Sequence, residues 1–369
     1  MEINPELSVN QFYDSNIYRL SNNEQSSWVT EISPRLETVY QKSYFKSLWA
    51  LDFVRGIYSE NDEDNYTDQL FSGDLRWRIN QRNEFAITGR YDKLHEDRGT
   101  GLTQGDAFSV AKPLTYHLAE LSSRYQLGTE QSVGRLAFEI GSQRKTYDQD
   151  NLVTEGEDIQ QSTATTEFDW RFGGSTALSL ELEANDFDYL DDPLAVEGVA
   201  DTKDSQSAIF LTGISWLVSG KTEGNLLLGY RHRNFEDSDR EDFSGPSWKV
   251  DVNWKDKLYS EYRVSTARTE RETNGDGSFI DAKQADAEWR AQWSSRFGTR
   301  LAFNYSEDTY VDSGTDRVDE RRTARFDIDY RMRYWLRWTL GVSYNENESS
   351  VQAFDYRRYT AILAADMNW

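Results

Sequence analysis

The chain runs out through Tyr359-Thr360-Ala361-Ile362-Leu363-Ala364-Ala365-Asp366-Met367-Asn368-Trp369, and the alternation in this stretch decides the fold. Odd positions carry Tyr359, Ala361, Leu363, Ala365, Met367 and Trp369, while the even ones include Thr360, Asp366 and Asn368. Strand side chains point alternately to two faces, so this is a strand with one apolar face ending on an aromatic ring.

Upstream segments repeat the pattern. Tyr334, Leu336, Trp338, Leu340, Val342 and Tyr344 share a face against Arg337, Thr339, Gly341 and Ser343. Ala324, Phe326, Ile328 and Tyr330 alternate with Arg325, Asp327, Asp329 and Arg331. Ala285 to Trp293 alternate with Asp286, Glu288, Arg290 and Gln292, and Trp248, Val250, Val252 and Trp254 with Lys249, Asp251 and Asn253. A half-buried soluble sheet also alternates, but not in nearly every segment with charges across its second face. Aromatic residues stand at the ends of the apolar stripes, as in the interfacial girdles of a membrane barrel. The pattern predicts an all-β, transmembrane, antiparallel up-and-down barrel occupying residues 1–369.

A mean hydropathy of -0.80 looks soluble or even disordered, yet an aromatic content of 14% argues against disorder. A barrel reconciles the two, because only alternate residues meet lipid. No window approaches the ~20 apolar residues of a membrane-spanning helix. With no Cys there is no disulfide framework and no thiolate metal site. A net charge of -23 excludes nucleic acid as a partner class. The acidic runs Asn61-Asp62-Glu63-Asp64, Glu155-Gly156-Glu157-Asp158 and Glu236-Asp237-Ser238-Asp239 read as solvated loop surface. An outer-membrane protein is exported, so Met1 is expected to stand where an export signal has been removed.

Short polar turns are predicted near Gln41-Lys42, Asn80-Asn83, Gly128-Gln131, Gly173-Ser175, Gly220-Thr222, Asp256-Lys257, Ser295-Gly298 and Arg333. Between them lie longer polar loops near 15–26, 59–65, 96–113, 148–158, 190–204, 235–244, 272–278, 310–317 and 345–352. Eight turns and nine loops join 18 strands, with 16 as the fallback if a hairpin is miscounted. Both termini then lie on one side, with short turns periplasmic and long loops extracellular. Loops 96–113 and 190–204 are long enough to fold into the barrel.

Strand parity assigns a lumen face to Asp74, Arg76 and Arg78, to Arg90 and Asp92, to Arg135 and Glu139, and to Glu167, Asp169 and Arg171. Arg231, Arg233, Arg290, Arg325, Asp327, Asp329 and Arg337 complete the expected pore lining. These residues read as ion-paired walls, compatible with a hydrophilic channel, since 16–18 strands generally enclose an aqueous pore. Trp335, Tyr259 and Phe12 are candidates for inward aromatics that would stack on sugar rings. His95-Glu96-Asp97 could bind a metal but reads better as a polar loop edge, and Glu181 with Glu183 as acidic wall. No catalytic constellation stands out among His95, His117 and His232, no Gly-rich phosphate motif is present, and neither an enzyme nor a cofactor is expected.

Tyr13-Asp14-Ser15-Asn16-Ile17, Ile32-Ser33-Pro34-Arg35-Leu36 and Tyr91-Asp92-Lys93-Leu94-His95-Glu96-Asp97-Arg98-Gly99-Thr100-Gly101 resemble the outer-membrane porin-type barrels found with exopolysaccharide biosynthesis clusters, the EpsL-like and VpsM-like proteins. The resemblance covers the whole chain. It implies a non-enzymatic exit for an exopolysaccharide through a wide, unplugged lumen, supplied by a periplasmic polysaccharide-export lipoprotein. The terminal Trp369 resembles the signal read by the barrel-assembly machinery of Gram-negative outer membranes, whose lipids would surround the barrel. The alternative is a general or solute-specific diffusion porin, which predicts an inward-folded loop making a constriction with segregated charges. A rim enzyme and a structural barrel with a blocked lumen are further alternatives.

Overall fold

In a computed structural model the chain forms one 18-stranded antiparallel sheet. The structure describes residues 1–129, 132–149, 151–190, 202–218, 220–256 and 259–369. The strands are β1 (Glu2–Asp14), β2 (Ser27–Lys42), β3 (Phe45–Tyr58), β4 (Tyr66–Arg78), β5 (Asn83–Glu96), β6 (Leu114–Leu127), β7 (Gly134–Tyr147), β8 (Ile159–Gly173) and β9 (Thr176–Tyr189). They continue with β10 (Ser205–Val218), β11 (Thr222–Phe235), β12 (Phe243–Lys255), β13 (Ser260–Arg271), β14 (Phe279–Gln292), β15 (Phe297–Val311), β16 (Val318–Arg333), β17 (Leu336–Ser349) and β18 (Tyr356–Asn368). Each pairs with its sequence neighbours, and β1 also pairs with β18, Leu7 opposite Met367, which closes the barrel. The Trp369 N–H reaches the Pro5 carbonyl at 3.1 Å across this seam.

Register fixes the faces. One cross-strand row runs Ala361, Val342, Phe326, Leu301, Trp289, Tyr262 and Trp254 over seven strands, apolar throughout. Its large members Val342, Phe326, Trp254 and Tyr262 are exposed, as a lipid-facing surface must be once the lipid is taken away. At the short-turn end, Tyr40, Phe45, Trp77 and Phe85 form a run of rings with centroids 6.2, 5.1 and 6.0 Å apart. At the long-loop end, Tyr13 meets Trp28 at 5.4 Å and Tyr344 meets Tyr359 at 4.9 Å. These are the two girdles, and the sequence turns fall within a few residues of the observed connections. Gly128 sits in one such turn at φ 91°, where a Cβ would lie 2.5 Å from the Gly134 carbonyl oxygen.

The pairing opens in two places at the loop end. Residues Tyr66 to Asp68 of β4 have no ladder partner on β5, whose pairing with β4 begins at Gln69 opposite Lys93; His95 of β5 bonds the Asp68 carboxylate there instead. Residues Phe243 to Ser247 of β12 have none on β13, because that ladder begins at Trp248 opposite Arg268. Above the β12–β13 split no ladder holds β13 to β12. The upper ends of β13 and β14 lean inward: Arg268 and Glu270 share parity with the exposed Tyr262 and Val264, yet Glu270 accepts a hydrogen bond from Ser207 on the inner wall. The apolar clusters of the interior also lie at this end. The largest joins Ile17, Tyr18, Val29, Tyr58 and Ala107 beneath the loops.

Candidate functional site

The register puts all of the expected pore-lining residues on the face opposite the exposed apolar side chains. Most are paired there. Arg76 holds Asp74 at 2.9 Å, Arg90 holds Asp92, Arg135 holds Asp169 at 2.5 Å, and Arg325 holds Asp327 at 2.8 Å. Arg124 had no place in the parity reading, although it joins Glu139 at 3.0 Å and Glu167 at 2.6 Å, tying two strands together. Its even position opposite Glu139 would have revealed it.

The walls are not electrostatically alike. On β14 to β17 arginines crowd together: Arg290 lies directly opposite Arg300, and Arg331 opposite Arg337. Like charges facing across a ladder repel. Glu288 relieves the first couple by accepting from both guanidiniums at 2.6 Å. Among the described residues no carboxylate pairs with Arg331 or Arg337. A cavity of about 610 Å³ lies against this wall, where Lys255, Arg290, Arg296, Arg300, Arg325, Arg331 and Arg337 outnumber Asp256, Glu261, Asp327 and Asp329. The wall of β7 to β12 is more acidic, with Asp169, Glu223 and Asp251 around Arg135 and Arg171.

Two inward-folded segments narrow the loop end. The segment 97–113 follows β5, and its root is an ion-pair knot. Arg98 grips Asp64 through two hydrogen bonds of 2.7 and 2.8 Å and donates to the Tyr18 hydroxyl at 2.6 Å, which donates on to Asp64 at 2.7 Å. Burial and the neighbouring Asp64 carboxylate push the Tyr18 phenol up, so it stays a hydrogen-bond donor. Beside it Asp97 takes Arg19 at 3.5 Å and His95 at 3.2 Å. Burial alone would raise the Asp97 carboxyl, but the His95 hydrogen bond and the Arg19, His95 and Arg358 charges hold it well below the usual carboxylate range. The segment then crosses the mouth. Gln104 accepts from Asn274, in the β13–β14 connection nearly half-way round the barrel, at 2.7 Å.

The second segment is the tip of the β13–β14 hairpin. Glu272 accepts from Arg233 at 3.0 Å and from the Tyr189 hydroxyl at 2.5 Å, and Asp281 pairs with Arg231 and with Arg268 at 2.5 Å. Arg231 and Arg233 are therefore covered, with fully buried side chains, rather than open to solvent.

Several sequence expectations change on this geometry. Asp64 is not solvated surface but the buried partner of Arg98, because segment 97–113 folds onto it. Phe12 faces inward against Val29, Trp335 lies in the β16–β17 turn beside a cavity shared with Arg35, Asp52 and Arg337, and Tyr259 borders the arginine-lined cavity while packing on Trp293 at 5.6 Å. His95 bridges Asp68 at 2.8 Å and Asp97, and no metal-ligating group of three forms among the described residues. Loop 96–113 folds inward; most of loop 190–204 lies outside the described residues.

Comparison with known proteins places this barrel. A sequence model of the family described as putative beta-barrel porin 2 matches residues 2–367. Among solved structures, the chain is similar to Pseudomonas aeruginosa OpdK with vanillate (TM-score 0.55, 10% identity, covering 100% of this chain and 99% of that one). It is also similar to P. aeruginosa OccK2 (OpdF) in complex with glucuronate (0.54, 8%, 100% and 98%) and to a BenF-like porin from Pseudomonas fluorescens Pf-5 (0.51, 8%, 100% and 99%). Comparison with curated protein sequences gave no match. The fold and family are those of the Gram-negative outer membrane. The expectation of an exopolysaccharide exit is corrected. That role needs a wide, unplugged lumen, whereas Gln104 and Asn274 meet across the mouth, and two of the like-shaped barrels were solved with small solutes.

Proposed function

The chain belongs to the family described as putative beta-barrel porin 2, and from that premise we propose that it is a solute-specific diffusion channel for small hydrophilic anions, carboxylates above all. It is non-enzymatic: solutes pass a narrowed mouth and descend along the arginine wall. The carrying observation is the arginine face of β14 to β17, with Arg331 and Arg337 opposed and unpaired over a solute-sized cavity. A chain of net charge -23 would otherwise repel anions. Fixed guanidiniums suit carboxylates through bidentate hydrogen bonds. The vanillate and glucuronate held by two structural neighbours are both carboxylates, which agrees with this choice.

Trp369, beside the β1–β18 seam on the lipid face, is proposed as the residue read by the barrel-assembly machinery. Uptake into liposomes tests the channel reading. Glucuronate and benzoate should enter faster than neutral sugars of similar size; equal rates would reduce the protein to a general porin, and no uptake would refute a channel.

A further inference from the structure

The buried arginines of β11 carry an inference beyond the arginine wall. Arg233 donates to the Ser205 hydroxyl through two nitrogens at 3.0 and 2.8 Å, which fixes its plane. Its guanidinium carbon lies 4.1 Å from the ring centre of Phe187 and 5.0 Å from that of Phe279. Arg231 lies 5.1 Å from the Phe243 ring. The Nε and Nη1 atoms of Arg231 are buried with no hydrogen-bond partner. Two guanidiniums flanked by the Phe187, Phe235 and Phe243 rings make a place for a planar anion, and Phe279 packs among those rings. The present occupants are the chain's own: Phe279, with no exposed surface, and the carboxylates of Glu270, Glu272 and Asp281. Glu270 ends β13, Glu272 lies in the connection, and Phe279 and Asp281 begin β14; this hairpin end has no ladder to β12 above Trp248 and is hinged on β15 through Phe279 opposite Val311.

We infer that Arg231 and Arg233 form a binding site for a small aromatic carboxylate, and that the folded-in tip fills this site as a tethered mimic, Phe279 standing for the ring and its acidic neighbours for the carboxylate. A free aromatic carboxylate competes with the tip, and its binding swings the tip out and widens the mouth. A ligand shifts such an equilibrium by the difference in its affinity for the two states. Here the difference is complete, since the tip and the solute cannot share the guanidiniums. Tethered groups act at effective concentrations on the order of millimolar, so the solute opens the mouth in that range. The inference rests on the channel reading.

Single-channel recording in planar bilayers tests it, with benzoate as the probe and acetate and benzyl alcohol as controls. Benzoate should raise the open fraction of the wild type far more than either control. Glu270→Gln with Glu272→Gln removes two tethered charges and should raise the open fraction without benzoate roughly tenfold or more. The chain has no Cys, so Ser207→Cys with Glu270→Cys introduces a unique thiol couple for a short bifunctional cross-linker. Cross-linking should abolish the benzoate response. A benzoate response that survives cross-linking overturns the inference, as does a wild type indifferent to benzoate; either result leaves the channel reading intact if basal conductance persists. Absence of conductance in the wild type, the double Gln variant and the uncross-linked Cys variant would overturn both.

Discussion

Arg233 and Arg325 lie on the same inner face of the same barrel, one toward the loop end and one toward the turn end. The side chain of the first is 0% exposed and that of the second 42%. Both meet carboxylates. What differs is the cover: the hairpin tip lies over Arg233, and nothing folds over Arg325. Strand periodicity assigns a charge to the lumen, whereas loops decide whether it becomes a buried structural group or a wet one that meets solute. A buried pair that loses one partner strands the other, at about 3–5 kcal/mol, while an exposed pair contributes about 0–1 kcal/mol. The loop end should therefore respond to substitution through structure and the turn end through selectivity.

The largest effect is expected from Arg98→Ala, which strands Asp64 and Tyr18. It should release segment 97–113 to proteolysis and raise conductance, with the barrel still closed. If the segment stays protected, the division into a buried end and a wet end fails. Next, Arg290→Gln, Arg300→Gln and Arg325→Gln together should lower the anion-to-cation permeability ratio several-fold while leaving thermal stability almost unchanged. A large loss of stability would place these arginines with the buried group. Acid gives a third test. Asp97 is held low in the fold, so its stabilisation is complete above the unfolded carboxyl value of about 3.9 and is lost as pH falls through the folded value. The part of the conductance that depends on Asp97 should stay level from pH 7 to about 4 and rise only below that range, and Asp97→Asn should remove this component. The smallest effect belongs to Gln104→Ala, which removes the hydrogen bond from Asn274, about 1 kcal/mol, and a long one of 3.5 Å to Asp319. A slight increase in open-channel noise would register it.

The closed barrel and its faces were legible because period two, repeated strand after strand, leaves few other folds. The fate of individual charges was not. Asp64 and Arg98 are far apart in sequence and meet only because the β3–β4 and β5–β6 connections fold over the same mouth. No local pattern announces such a meeting. A partial signal existed on β13, where the apolar parity of Tyr262 and Val264 gives way to Arg268 and Glu270. Charges at lipid parity mark a strand that has left the lipid or turned inward. Loop 96–113 was recognised as long enough to enter the barrel, but length says nothing of its partner Asn274. Trp335 and Tyr259 are placed less sharply by parity, which loses meaning in a turn.

The split above Trp248 also leaves the upper part of β12 as a bare strand edge. Such an edge is a template on which another chain can add a strand, the first step of unwanted association between barrels. Two residues there blunt it. Pro246 has no N–H to offer an incoming strand, and at Gly245 the Phe243 ring and the Arg268 guanidinium close in on the space where a Cβ would stand, at 3.1 and 3.5 Å. The segment at which the hairpin parts from β12 thus carries its own protection against aggregation.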